Sequence, residues 1–254
     1  MTRMLVRVVV CLIAGTAAAA AMVGGAPVAS GGPERHAVLI VGSRGSSCTG
    51  AAIARDLVLT AAHCVLPGAD YKLVEFDAAR RPALKDVQAI TRHPQFSLQA
   101  LLAHRATADV ALIKLVEPLP APIVPAAISA RPAPREAGAT FLVAGFGVTV
   151  RGDGKTGGTL RTATLAATGQ PGNLQLRLVD PATKGAGAGL GACTGDSGAP
   201  VFEAQGERLA IMGVVSWSTG PNLSAGCGGL TGVTPLALYR GWILEAARKL
   251  GSPL

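Results

Sequence analysis

Short apolar runs separated by turn-forming residues recur through most of the chain. Clusters of glycine, proline, asparagine and aspartate lie between the runs, a pattern typical of an all-β protein. The runs cover residues 37–41, 57–61, 110–116, 141–144, 174–179 and 209–217. The end of the chain differs, because Leu236, Tyr239, Ile243 and Ala247 recur at steps of three or four residues. This period predicts a C-terminal helix over about 236–249.

A proline-rich segment divides the chain into two β halves of nearly equal length. Residues 118–138 contain six prolines and little else that could pair into a sheet, since proline lacks the backbone N–H that a β-ladder needs. We therefore interpret 118–138 as an extended connector between a first half of about 22–117 and a second half of about 139–235.

The first 21 residues have the composition of a secretory signal peptide. Arg3 and Arg7 form a short positive region before an apolar run at 8–13. Ala19 and Ala21 occupy the small-residue positions that a signal peptidase recognises. A retained membrane anchor is the alternative, but the apolar run is shorter than the ~20 residues that a span needs. We expect an exported protein whose mature domain is 22–254, with no membrane association after cleavage.

Composition excludes several other classes of protein. Of the 254 residues, 49% are apolar and 15% are charged, so general disorder is excluded. The formal net charge is +8, yet no dense basic run occurs beyond Arg80 and Arg81. We interpret this charge as a solvated surface rather than a nucleic-acid interface.

Four cysteines remain once the signal peptide is removed. An even number in an exported chain predicts two disulfides. A zinc site is the less favoured alternative, because no Cys-x-x-Cys spacing is present. The four are Cys48, Cys64, Cys193 and Cys227.

Three short motifs carry candidate chemistry. His63 lies in Thr-Ala-Ala-His-Cys, Asp109 directly precedes Val-Ala-Leu-Ile-Lys-Leu, and Ser197 lies in Gly-Asp-Ser-Gly-Ala-Pro. These segments resemble the three catalytic segments of the chymotrypsin/trypsin family of serine proteases, and they occur in that family's chain order. The order differs from that of α/β-hydrolases, in which the serine comes first.

The resemblance implies a fold and a disulfide pattern. It implies two six-stranded antiparallel β-barrels with the active site between them, so that His63 and Asp109 belong to the first barrel and Ser197 to the second. The family's bridges match Cys48–Cys64 and Cys193–Cys227. A third bridge that is common in the second barrel has no matching cysteines here.

The chemistry explains why these residue types are needed. A serine hydroxyl is a weak nucleophile at neutral pH and needs a base, a role that suits His63 because imidazole titrates near pH ~6.5. Asp109 would orient the imidazole and stabilise its cation. The backbone N–H groups of Gly195 and Ser197 are the candidate oxyanion donors.

Residues that match the family's substrate-binding positions lack a carboxylate. The family position at the floor of the specificity pocket matches Gly191, and a second wall position matches Gly232. Ser218 replaces a glycine in the wall, which predicts a narrower entrance. The resemblance therefore implies cleavage after small or medium apolar residues rather than after arginine or lysine. The full candidate set is Gly191, Ser216, Trp217, Ser218 and Gly232.

The predicted activity is that of a secreted serine endopeptidase acting on proteins or peptides as a monomer, without a cofactor. No metal is expected, because the candidate calcium loop at 71–86 has Glu75 but carries Lys85 where a second acid would help. Two alternatives are a protease-like binding protein that has lost catalysis, and an esterase on the same scaffold.

The resemblance also implies an activation pair. In the family, a freed apolar N-terminus inserts beside the aspartate that precedes the nucleophile. The matching residues are Met22 and Asp196, and Met22 directly follows the predicted signal cleavage site. We therefore hypothesise that signal removal itself activates the protein.

Overall fold

The computed structural model describes residues 22–254 apart from 78, 80, 104, 133–135, 170–173 and 207. The predicted signal peptide, 1–21, lies outside the described residues. Within the described part, the chain forms thirteen β-strands and two α-helices. No helix in these described ranges is long and apolar enough to span a membrane.

Six strands in the first half close into an antiparallel barrel. They are β1 (Ala37–Gly42), β2 (Ser47–Ala54), β3 (Leu57–Thr60), β4 (Tyr71–Phe76), β5 (Pro82–Arg92) and β6 (Ala111–Leu115). Their order around the barrel is β1-β2-β3-β6-β5-β4. Branched aliphatic side chains fill the interior, among them Ile40, Val58, Leu73 and Ile113, which is how a chain with 4% aromatic residues builds this core.

The second half contains a second barrel and one additional short strand. The strands are β7 (Ala127–Ile128), β8 (Thr140–Gly145), β9 (Arg161–Ala167), β10 (Leu176–Val179), β11 (Pro200–Gln205), β12 (Arg208–Ser218) and β13 (Thr231–Pro235). The sheet order is β11-β8-β9-β10-β13-β12, and pairing of β11 with β12 closes it. The prediction of two six-stranded antiparallel barrels is confirmed.

The connector contributes more to the sheet than its prolines suggest. Strand β7 pairs in parallel with β12, with Ala127 opposite Ala210 and Ile128 opposite Ile211. The Ser129 N–H continues this contact by donating to the Ile211 carbonyl at 2.9 Å. The pairing is possible because the interval from 126 to 131 contains no proline, so its backbone N–H groups remain available.

Two helices flank the barrels. Helix α1 (Leu98–Leu102) is capped by Ser97, whose hydroxyl accepts from the Ala100 N–H at 3.2 Å. Helix α2 (Arg240–Lys249) begins later than the predicted 236, because a separate 3₁₀ turn at Leu236–Leu238 follows Pro235. The buried face of α2 includes Ile243.

An apolar layer joins the two barrels to α2. Its first-barrel members include Leu57 and Leu112, its second-barrel members include Phe202 and Val214, and Ile243 comes from the helix. Since burial of apolar area stabilises by about 25 cal/mol per Å², this shared layer holds the barrels together and so fixes the cleft between them.

Candidate active site

A cleft of about 510 Å³ lies where the two barrels meet. His63, Cys48 and Tyr71 line it from the first barrel, and Gly195 and Ser197 line it from the second. The structure therefore brings the candidate base and the candidate nucleophile to one cleft, although 134 positions separate them in the chain.

Strand pairing places Asp109 beside His63. His63 lies in a 3₁₀ turn directly after β3, and Asp109 lies directly before β6. Because β3 and β6 are antiparallel neighbours with Thr60 opposite Ala111, the end of one meets the start of the other. Asp109 is fully buried, and its Oδ2 lies 2.8 Å from His63 Nδ1 while its Oδ1 accepts from the His63 backbone N–H at 3.0 Å.

This geometry fixes the orientation of the imidazole. A buried carboxylate can only accept from a neutral histidine, so Nδ1 carries the hydrogen and Nε2 is left as the basic nitrogen. The His63 side chain is 18% exposed, on the side of the cleft.

The Ser216 hydroxyl makes a contact that the sequence did not indicate. Ser216 is predicted among the substrate-binding residues, and its hydroxyl donates to Asp109 Oδ2 at 2.5 Å. Its side chain therefore positions the carboxylate from the second barrel. The charge of Asp109 also reaches Tyr239, since burial raises the pKa of Tyr239 and the nearby carboxylate raises it further.

Glycines shape the loop that carries Ser197. Gly195 and Gly198 have φ of +95° and +77°, in the region that favours glycine. A Cβ on Gly198 would lie 2.1 Å from Thr60 Oγ1. The Thr194 carbonyl accepts from the Val148 N–H at 2.8 Å, and because a trans peptide points its N–H opposite to its C=O, the Gly195 N–H points away from Val148.

Thr49 on β2 links this loop to the first barrel. The side chain is fully buried, and its hydroxyl donates to the Gly195 carbonyl at 2.8 Å and accepts from the Phe146 N–H at 3.0 Å. Its backbone N–H donates to the Ser197 carbonyl at 2.8 Å. Sequence reasoning missed this residue, because its partners lie far away in the chain and no local pattern marks it.

Asp196 is buried without a cation among the described residues. It accepts from the backbone N–H groups of Gly147 and Cys193, each at 2.8 Å. Burial raises the pKa of Asp196 to about 7, and these two hydrogen bonds oppose the rise. A Cβ on Gly145 or Gly147 would approach its carboxylate to 2.1 Å or 2.4 Å, so both glycines are required by contact.

The predicted partner of Asp196 enters the same barrel. Met22 is fully buried within the apolar interior of the second barrel. Val23 forms a β-bridge with Gly191, and a Cβ on Gly24 would lie 2.4 Å from the Gly189 carbonyl. Residues 22–24 therefore pack against the loop that precedes Ser197.

The remaining candidate specificity residues lie close to one another. Ser218 lines the cleft. The Trp217 indole covers Gly232, where a Cβ would lie 2.1 Å from Trp217 Cε2, and a Cβ on Gly191 would lie 3.0 Å from the Gly228 Cα. The space beside both glycines is therefore closely bounded.

Both disulfides implied by the resemblance are present, Cys48–Cys64 and Cys193–Cys227. Ligand atoms of Cys48, Cys64 and His63 lie within 4.8 Å of one another, but the two sulfurs are bonded together and offer no thiolate to a metal. In the loop that lacks a third bridge, Asp180 accepts from the N–H groups of Ala182 at 2.9 Å and Leu190 at 3.0 Å.

Replacing Thr49 by valine tests its linking role. Valine keeps the volume but leaves the Gly195 carbonyl and the Phe146 N–H without their partner, so we expect a loss of about 2–4 kcal/mol in the free energy of unfolding. Thr49→Ser keeps the hydroxyl and loses only a methyl, at a cost of about 1 kcal/mol. Urea denaturation measures both, and a serine variant that is no more stable than the valine variant would contradict the assignment.

Comparison with known proteins places this geometry in context. The family model described as Trypsin matches residues 22–243. The chain is 29% identical over 214 residues to a trypsin-like protease of Streptomyces glaucescens, covering 80% of this chain and 75% of that protein. It is 27% identical over 223 residues to snake venom serine protease rhinocerase 4 of Bitis rhinoceros, covering 83% and 81%. The match to the family model, together with the two barrels and the cleft between them, shows that this chain belongs to the trypsin family.

Proposed function

We propose that this serine-type endopeptidase cleaves peptide bonds through an acyl-enzyme formed on Ser197. The observation that carries the proposal is the buried Asp109 carboxylate at 2.8 Å from His63 Nδ1, in a cleft that Ser197 also lines. It leaves His63 Nε2 free to accept a proton, which is what a serine nucleophile requires.

In the proposed reaction, Ser197 Oγ attacks the scissile carbonyl carbon and gives its proton to His63 Nε2. The N–H groups of Gly195 and Ser197 stabilise the oxyanion. The imidazolium, stabilised by Asp109, then donates the proton to the leaving amine as the C–N bond breaks. Water repeats the sequence with His63 as base, and the acid product leaves with Ser197 restored.

Two other functions remain candidates. A binding protein without catalysis has no need for an oriented imidazole, whereas here Asp109 holds His63 at two atoms and Ser216 holds Asp109. An esterase would use the same groups, and a comparison of matched amide and ester substrates distinguishes it.

Replacement of Ser197 tests the mechanism. We expect Ser197→Ala to reduce kcat/KM on a peptide substrate more than a thousandfold, since loss of a triad member normally costs far more than tenfold. A fluorophosphonate should label the unmodified protein and fail to label the variant. The control is Ser30→Ala, which removes an exposed serine outside the cleft. Residual activity within about tenfold of the unmodified protein would contradict the role of Ser197.

Substrate preference is proposed from the acyl-side residues. Neither Gly191 nor Gly232 offers a carboxylate to a basic side chain, and Trp217 closely covers Gly232. Ser218 adds a hydroxymethyl group at the edge of the cleft. These features support a small or medium apolar residue on the acyl side of the scissile bond.

Peptide amides that differ only at the acyl-side residue test this preference. Among alanine, valine, leucine, phenylalanine and arginine, we expect alanine or valine to give the highest kcat/KM, and arginine the lowest. The discrimination between neighbouring apolar residues should be about tenfold, as expected for one or two methylenes. A highest rate on arginine would overturn the proposal.

We also propose that removal of the signal peptide during export activates the protein. Disulfides fit an extracellular protein, and residues 1–21 have the composition of a signal peptide. Cleavage after Ala21 would give Met22 a free ammonium. Burial of Met22 and Asp196 in one barrel supports pairing of that ammonium with the Asp196 carboxylate, which would order the Gly195 loop.

The pH dependence of stability distinguishes the paired from the unpaired state. With residues 17–21 still attached, Met22 has no ammonium, and the Asp196 pKa of about 7 lies above its unfolded value of 3.8. Because the pKa of Asp196 is raised on folding, its contribution to the free energy of unfolding is fully present below pH 3.8 and is lost as the pH rises through 7. At 1.4 kcal/mol per pKa unit, the loss is about 4 kcal/mol. The form that begins at Met22 should lack this loss.

Urea denaturation from pH 4 to pH 8 measures the difference between the two forms. Asp196→Asn in the extended form is the matched control, because it removes the titrating group and should flatten the profile. A loss of equal size in both forms would contradict the pairing, as would full activity of the extended form.

A further inference from the structure

Part of the cleft wall is formed by the first barrel. The turn between β1 and β2 contributes Arg44 and Ser46, the loop before β4 contributes Leu66 and Ala69, and Tyr71 begins β4. These residues line the same cleft as His63, whereas the acyl side is proposed to lie at Ser218. If the proposed function holds, His63 protonates the leaving amine, so the residues that follow the scissile bond extend along this wall.

The Arg44 guanidinium packs against Gly68 at this wall. Gly68 has φ of +85°, and a Cβ there would lie 2.9 Å from Arg44 Nη2 and 3.5 Å from Cζ. The guanidinium therefore rests against the bare Cα of Gly68. The Ser43 N–H donates to the Asp70 carbonyl at 2.8 Å, and the Asp70 N–H donates to Ser43 Oγ at 3.0 Å. These bonds fasten the turn to the loop.

The positive charge of Arg44 has no carboxylate partner in the described part of the chain. None of the ion pairs found there includes Arg44, and none of the residues that line the cleft is acidic. Burial raises the pKa of Tyr71, and the positive charges of Arg44 and Arg92 oppose the rise. Tyr71 itself is fixed by donating to the Leu66 carbonyl at 2.8 Å.

We propose that Arg44 selects substrates with aspartate or glutamate among the first three residues after the scissile bond. The inference rests on the proposed function. A guanidinium donates to a carboxylate through paired N–H groups, and here it does so at an exposed site. Exposed ion pairs contribute about a threefold to fivefold preference, and added salt screens them.

Matched peptides test the selection. Each pair has the same acyl side and carries glutamate or glutamine at the first, second or third position after the scissile bond. We expect kcat/KM for the glutamate peptide to exceed that of its partner by about threefold to fivefold at one position at least. In Arg44→Gln this ratio should fall to about one. In Arg248→Gln, which removes the same charge from an exposed site on α2, the ratio should be unchanged.

The readout separates selection from general damage, because loss of stability lowers both members of a pair and leaves their ratio intact. The ratio should also shrink in 0.5 M NaCl. Cleavage of all peptides without preference for glutamate, or a preference that persists in Arg44→Gln, overturns the role of Arg44 and leaves the proposed function standing. Absence of both cleavage and fluorophosphonate labelling overturns the two together.

Discussion

The whole site depends on how firmly the two barrels are held against each other. His63 and Asp109 extend from one barrel and Ser197 from the other, so a small sliding of the interface would separate the proposed base from the proposed nucleophile. Apolar packing alone resists separation better than sliding, because it is not directional. Hydrogen bonds supply the direction: Thr49 fixes the carbonyls of Gly195 and Ser197 from the first barrel, and Ser216 reaches back to Asp109 from the second.

The second constraint is electrostatic and concerns Asp196. A buried carboxylate without a cation is costly, and two backbone N–H groups compensate only partly, since the pKa remains raised to about 7. Gly145 and Gly147 bring those backbone atoms close enough to help. Asp196, whose burial destabilises the fold, lies between Gly195 and Ser197. A change in its charge therefore acts directly on the backbone of those two residues.

Local signals were enough to predict an all-β chain with a C-terminal helix, whereas the two barrels and the pairing of the cysteines came from the family resemblance. Runs such as 37–41 and 209–217 coincide closely with β1 and β12. Strand β5 was not among the predicted runs, because polar residues interrupt its apolar ones and all of its positions are exposed or only partly buried. Strand β7 was missed because two residues between prolines carry almost no pattern.

Within the site, the motifs mark residues that the structure brings to one cleft, but a motif carries no information about where a neighbouring side chain points. Ser216 was placed on the correct strand, but its sequence neighbours could not show that its hydroxyl points to Asp109. Thr49 has partners 97 and 146 positions away. Contacts of that range depend on the docking of the barrels, and therefore on the fold as a whole.

The order of these contacts along the chain has a consequence for folding during synthesis. Every strand of the first barrel lies within 37–115, whereas the residues that complete the cleft come from 193 onwards. A chain that emerges N-terminus first can close its first barrel early, with His63 and Asp109 in place before Ser197 has joined them. Under the proposed mechanism, hydrolysis needs Ser197 and therefore begins only when the last strands close, so a partly synthesised chain would not digest neighbouring proteins.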